Sequence, residues 1–234
     1  MPPRVRVRHH VNPLRSGYMH IAPPPLAPLP VPEPAAPDVT ASPSAAAGVA
    51  AGVGDTPLEV ELGCADAQFL FQLARRDPHT RYVGVEIRRP HVDDVNQRAA
   101  EEGLGRLSAV FAHINLDLPA IFAGHPVRRF YINFPDPWFK RAQHKRRIVT
   151  PELVDTLLSL LIPRGEIFFQ SDVFELALDA MAVLECEPRL ANASPRGEWS
   201  FYGESPFPAR SLREDRVTAH GDPVWRILYR RCDG

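Results

Sequence analysis

From Leu58 onward, short β-branched and aromatic runs alternate with longer amphipathic ones, and this alternation limits the fold more than any other feature of the chain. The strand-like runs are LEVEL (58–62), RYVGVEI (81–87), LSAVFA (107–112), RRFYINF (128–134), EIFFQS (166–171) and VWRILYRR (224–231). Between them lies ADAQFLFQLARRD (65–77), with Phe69, Leu70, Leu73 and Ala74 on one helical face. PHVDDVNQRAAEEG (90–103) follows, started by Pro90 and ended by Gly103. A short helix is expected near 118–123, an amphipathic one over PELVDTLLSLLIPRG (151–165) and another over VFELALDAMAVLE (173–185). Parallel strands need a long crossover, and a helix of this length supplies it. The expectation is an α/β domain over residues 58–234, built on a doubly wound, mostly parallel sheet.

Residues 1–57 carry no such pattern. Half of the chain's 26 prolines fall there, and from Pro23 to Gly54 it is almost wholly Pro, Ala, Val, Ser and Gly. Such a stretch lacks the large apolar area and the backbone donors of a core, so it reads as a disordered linker. Ahead of it, RVRVRHHVNPLR (4–15) reads as a basic arm, either a free tail or an edge that joins the main site. No apolar run approaches the roughly 18–20 residues that span a bilayer, and no signal-peptide core follows the first basic residues. The three cysteines are scattered, which excludes a disulfide framework or a cysteine zinc site and suits a reducing, cytoplasmic setting. With a net charge of -1, any nucleic-acid surface must be a local patch.

In open α/β sheets, ligands bind beyond the carboxyl ends of the strands. The first such end carries Glu61, then Gly63 for a tight turn and the small Ala65 and Ala67, which let backbone approach a ligand. The second ends in Glu86, 23 residues beyond Gly63 and placed to accept hydrogen bonds from ribose hydroxyls. After the third comes Asn115, whose amide suits an adenine edge. A single glycine is also what a purely structural turn would need. The spacing to Glu86 favours an adenosine-containing cofactor, and without a GxGxxG cradle for pyrophosphate it fits S-adenosylmethionine better than a dinucleotide. INFPDPWFKRAQHKRRIVTPEL (132–153) is the most informative stretch. Asp136 stands stiffly between two prolines at a strand end. From Val127 to Val149 there are seven Lys or Arg against one acid, and both lysines of the protein, Lys140 and Lys145, are among them. Basic residues interleaved with Trp138 and Phe139 suit phosphate contacts and base stacking in RNA; a solvated positive face is the alternative.

Taken together, RVRVRHHVNPL, LEVELGCADAQFL, YVGVEIRRP, FPDPWFKRAQHKRRIVTPELV, FFQSDV, ESPFPARSLRE and GDPVWR resemble the bacterial tRNA (guanine-N7-)-methyltransferases, most closely the cyanobacterial and plant-like branch. The resemblance spans both ends of the chain and omits mainly the Pro/Ala stretch. It implies a Rossmann-like class I methyltransferase that moves a methyl group from S-adenosyl-L-methionine to N7 of a guanine in the tRNA variable loop, with no metal and no membrane. It further implies that Glu61, Gly63, Glu86 and Asn115 bind the cofactor and that Asp136 is catalytic. Lys140 and Asp172 match residues assigned to the tRNA. Ser211 and Glu214 stand where the family carries a Thr-x-x-Glu element near the target guanine. Ala65 and Ala67 depart from the family, replacing glycines; if either needs positive φ, alanine costs about 1 kcal/mol. That departure motivates an alternative, a catalytically weakened RNA-binding paralogue.

Overall fold

A computed structural model describes Asn12, residues 21–27 and residues 56–233. Apart from Asn12, the basic arm lies outside the described residues, as does the linker beyond Ala27. The strands are β1 (Leu58–Leu62), β2 (Arg81–Glu86), β3 (Leu107–Phe111), β4 (Val127–Asn133), β5 (Leu161–Ser171), β6 (Leu190–Asn192) and β7 (Trp225–Arg231). The helices are α1 (Gln68–Arg76), α2 (Arg89–Glu101), α3 (Ile114–Ile121), α4 (Pro151–Leu160), α5 (Phe174–Glu185) and α6 (Leu212–Ala219), with a 3-10 turn over Arg141–Arg146. They build one seven-stranded sheet in the order β3-β2-β1-β4-β5-β7-β6, parallel from β3 through β5, with β7 antiparallel to β5.

Strand periodicity divides the apolar side chains between two faces. Val60, Val85, Phe130, Ile132, Ile167 and Phe169 join α3, α4 and α5 in one core. Tyr82, Tyr131 and Phe168 join α1 and α2 in the other. Both faces are covered, as a parallel sheet requires. Because β1 lies between β2 and β4, successive crossovers leave β1 and β4 in opposite directions, and a crevice opens at their carboxyl ends. At the opposite end, Glu59 is buried among the guanidinium groups of Arg128 and Arg129 and the Tyr131 hydroxyl. A carboxylate so enclosed is tolerated because both its oxygens accept hydrogen bonds and two guanidinium groups neutralise it.

Several boundaries differ from the sequence reading. The helix expected over 151–165 stops at Leu160, because Pro163 removes a donor and disfavours helical backbone before it. The strand then begins at Leu161 and bends at Arg164, whose φ is 61°. The third helix starts at Ile114, earlier than expected, with Pro119 inside it. β6 and α6 are additional; Ser211 accepts a hydrogen bond from the Glu214 N–H at 3.1 Å and so caps α6. Inside the stretch read as linker, Leu26 is buried against the core, and its N–H donates to the Ile121 carbonyl at 2.8 Å. One large apolar side chain among prolines is enough to dock that short segment.

Gly84, in the middle of β2, is required by packing: a Cβ there would stand 2.4 Å from Cys64 Sγ. Gly84→Ala should destabilise the protein by about 1–3 kcal/mol in urea unfolding, with part of the loss recovered when Cys64→Ala is added, since the Cys64 Cβ would still stand 2.9 Å away. A strictly additive double mutant would show that the two side chains do not compete for the space.

Candidate active site

The loop from β1 to α1 turns through left-handed backbone. Gly63 has φ 78°, Ala65 48° and Ala67 52°. Gly63 N–H donates to the Val85 carbonyl at 2.8 Å, and Ala67 stands at the start of α1 without a side chain able to cap it. The two alanines therefore occupy the conformation in which alanine is strained. Ala65 N–H points at Glu86 and donates to its Oε2 at 3.0 Å. The remaining acceptor positions of Glu86 are taken by Arg88: its backbone N–H at 2.9 Å and its guanidinium at 2.8 Å to each oxygen. Burial would raise the Glu86 carboxyl, but the Arg88 hydrogen bonds and charge, with the N–H groups, outweigh it and hold it below the usual value.

Glu61 is governed differently. It is 3% exposed, Oε1 accepts from Asn133 Nδ2 at 2.7 Å, and Oε2 is buried without a partner among the described residues. Burial pushes its carboxyl up to about 8; the Asn133 hydrogen bond opposes this, while Asp66 and Glu86 add to it. Asn133 Oδ1 in turn accepts from Gln170 at 2.9 Å, and Gln170 donates to Glu214 at 3.1 Å. Arg226 closes the chain, donating to Gln170 at 3.2 Å and to Glu214 at 2.8 Å. Polar side chains from β1, β4, β5, β7 and α6 thus form one connected layer behind the crevice.

The crevice is a cleft of about 660 Å³. Glu61, Gly63, Glu86, Asn115, Asp136, Asp172 and Ser211 all line it, so seven of the nine residues singled out from sequence converge there. Asp136 sits half-buried in the turn after β4, flanked by Phe134 at φ 48° and Trp138 at φ 45°. Asp172 pairs with Arg213, and Ser211 spends a lone pair on capping α6. Two residues stand elsewhere. Lys140 is exposed beyond the rim, before the 3-10 turn. Glu214 is fully buried behind the wall on Arg226 and Gln170, where it holds Ser211 and α6 rather than facing the cleft. Sequence reasoning passed over Arg88, Asn133, Gln170 and Arg226; no motif marks them, since their roles depend on partners 2 to 72 residues away.

Residues 55–227 match the Methyltransf_4 family of methyltransferases. The chain overlays on an rRNA methylase from Streptococcus thermophilus with a TM-score of 0.50 at 14% identity, covering 76% of this chain and 89% of that one. Sheet order, reversed β7 and the cleft at the β1/β4 switch point define a class I methyltransferase fold. Similarity in sequence is closer. The tRNA (guanine-N(7)-)-methyltransferase of Microcystis aeruginosa is 34% identical over 231 residues, 97% of this chain and 98% of that one. Its counterpart from Thermosynechococcus vestitus is 37% identical over 228 residues, 97% and 96% of the two chains. This chain belongs to the tRNA (guanine-N7-)-methyltransferase family.

The raised Glu61 carboxyl has a measurable consequence. Between the unfolded value near 4.5 and about 8, the folded protein keeps a proton that the unfolded chain releases, so this group's contribution to stability falls as pH rises through that window. Glu61→Gln removes the effect. Its stability relative to the parent should rise between pH 5 and 8 by up to about 1.4 kcal/mol per pH unit. Denaturant titrations giving a difference independent of pH would mean that Glu61 ionises normally.

Proposed function

We propose that this cleft binds S-adenosylmethionine and methylates N7 of a guanine in tRNA. The observation that carries the reading is the convergence of Glu61, Glu86 and Asp136, from three strand ends, on one cleft at the switch point. The residues fit the cofactor. The partnerless Glu61 Oε2 is a buried acceptor awaiting a cation, and an ammonium group would draw its proton off and pair with it. Glu86 stands at the β2 end where ribose hydroxyls are recognised. Its lone pairs are already filled, so hydroxyls at Glu86 and the Arg88 guanidinium are alternatives. Ala65, with no side chain beyond Cβ, leaves its backbone open to the ligand, and Asn115 supplies an amide at the β3 side of the cleft.

When bound, S-adenosylmethionine supplies an electrophilic methyl group on a sulfonium. Guanine N7 carries a lone pair and no proton, so the protein needs no general base; its work is orientation. Asp136 accepts hydrogen bonds from guanine N–H groups and favours the positive charge that the ring gains on methylation. The adjoining prolines stiffen the turn that carries it. Outside, Lys140, Arg141 and Lys145 are exposed, with Phe139 68% exposed at the rim, a combination suited to RNA phosphates and a stacked base. Arg146 instead lies over the Trp138 ring, 4.9 Å from its centroid.

Asp136→Asn tests the reading. Asparagine keeps the shape but puts donors where guanine N–H groups need acceptors. Single-turnover transfer of labelled methyl to unmodified tRNA, both reactants saturating, should fall by about 10²–10³-fold while cofactor affinity is largely kept. Parental rates in the variant would leave the Pro-Asp-Pro turn as architecture alone. A parent protein that binds tRNA but transfers no methyl would establish the weakened paralogue instead.

A further inference from the structure

Arg147 ends the basic run that composition marks as an RNA surface, yet its side chain turns inward and the residue is 8% exposed. Its guanidinium is divided three ways. Nε donates to the Pro137 carbonyl at 3.1 Å, one terminal nitrogen pairs with the Asp179 carboxylate on α5, and the other faces His144 Nε2 at 3.2 Å. Lys140, Arg141 and Lys145, by contrast, are exposed.

Pro137 is the residue next to Asp136, and the turn between them has few ways to hold itself. Neither Pro135 nor Pro137 has an N–H to donate. Phe134 and Trp138, at φ 48° and 45°, occupy backbone that side chains disfavour and that persists only where the surroundings impose it. On the β5 side the turn is fastened by Phe134 N–H, which donates to the Gln170 carbonyl at 2.8 Å. On the α5 side the Arg147 contact fastens it.

We propose that Arg147 is a positioning residue, tying the Pro137 carbonyl to α5 through Asp179 so that the Asp136 carboxylate is held over the cleft, and that it contacts no RNA phosphate. The inference rests on the role given to Asp136 above. A planar guanidinium reaches a carbonyl and a carboxylate at fixed angles, which an ammonium cannot do. The turn needs that rigidity, because a displacement of about 1 Å at a reacting group costs about 10²-fold in rate.

The test uses the full chain. In Arg147→Ala, single-turnover methyl transfer at saturating tRNA and S-adenosylmethionine should fall by about 30–100-fold, on the scale of such a displacement. Cofactor affinity by calorimetry should stay within about twofold, and the dependence of tRNA affinity on salt should keep the parental slope. Arg147→Lys should recover little, whereas added ethylguanidinium should restore part of the Arg147→Ala rate. Asp179→Asn, which keeps shape and loses charge, should give a smaller loss and serves if Arg147→Ala does not fold. A salt slope shallower by about 0.9 would make Arg147 a phosphate contact and overturn the proposal, as would a parental rate in a folded variant. A readout independent of turnover is the 19F spectrum of 5-fluorotryptophan protein, with three tryptophans to resolve. The Trp138 signal should move in Arg147→Ala; an unmoved signal overturns the tie even if the parent proves inactive, the result that would instead defeat the reading of the cleft.

Discussion

Where β1 and β4 part company, the backbone opens a crevice between two strands buried on both faces, and the structure must floor it with something other than water. The floor is the hydrogen-bonded layer that begins at Glu61 and runs through Asn133 and Gln170 to Glu214 and Arg226. Each member lies on a different element, so the layer fixes the relative height of four strands and of α6 at the edge where the cleft opens. Its far end is fully satisfied: Glu214 and Arg226 neutralise each other, and Gln170 uses both its amide oxygen and its amide nitrogen. Its near end is not. The loose atom, Glu61 Oε2, belongs to the side chain that meets the cleft, so the incompleteness of the network falls where a ligand can complete it.

Strain is distributed along the same rim. Ala65 and Ala67 on one wall, Phe134 and Trp138 on the other, all hold positive φ, a conformation costing non-glycine residues about 1–2 kcal/mol. The first pair is compensated by what the turn achieves: it aims Ala65 N–H at Glu86 and starts α1, whose Phe69, Leu70, Phe71 and Leu73 are buried. The second pair carries the Pro-Asp-Pro turn out of β4 and is held from β5, from α5 and by Arg146 on the Trp138 ring. The first wall has short local hydrogen bonds, Ala67 N–H to the Cys64 carbonyl at 2.7 Å and Gln68 N–H to Asp66 Oδ1 at 3.2 Å, but each wall is also tied to neighbouring strands, through Val85, Glu86 and Gln170. Both are imposed by the packed sheet, which is why the site is built at strand ends.

Much of this was legible in the chain. Strand and helix alternation gave the fold class because burial of a sheet on both faces leaves an unmistakable apolar signature, as in RYVGVEI, every residue of β2 being buried. Short elements were not legible: β6 is three residues long and antiparallel at the sheet edge, where periodicity has no room to show. α6 did carry a sign, Ser211-x-x-Glu214, the spacing of a helix start. The family resemblance makes the same spacing part of a binding element, whereas the structure shows Ser211 capping the helix while Glu214 turns to Arg226. Glu61, Glu86 and Asp136 could be placed on the cleft from sequence because strand ends are where open α/β sheets place ligands. Arg88 escaped because a guanidinium folding back on the carboxylate two residues earlier is a matter of rotamer, which no pattern of residue types encodes.

The basic run makes the same distinction between composition and geometry. Counted as charge, Lys140 to Arg147 is one positive patch in a nearly neutral protein. In three dimensions it divides by depth: Lys140, Arg141 and Lys145 face outward, Arg146 lies over an aromatic ring, and Arg147 is buried on Asp179. The division follows from solvation. An exposed ammonium keeps its water and serves long-range attraction, whereas a guanidinium is weakly hydrated and can be buried against a carbonyl and a carboxylate with its donors satisfied. In this segment both lysines lie outside and the most buried cation is an arginine. The outer cations are therefore free to meet a polyanion, while the inner one is committed to the backbone that carries Asp136.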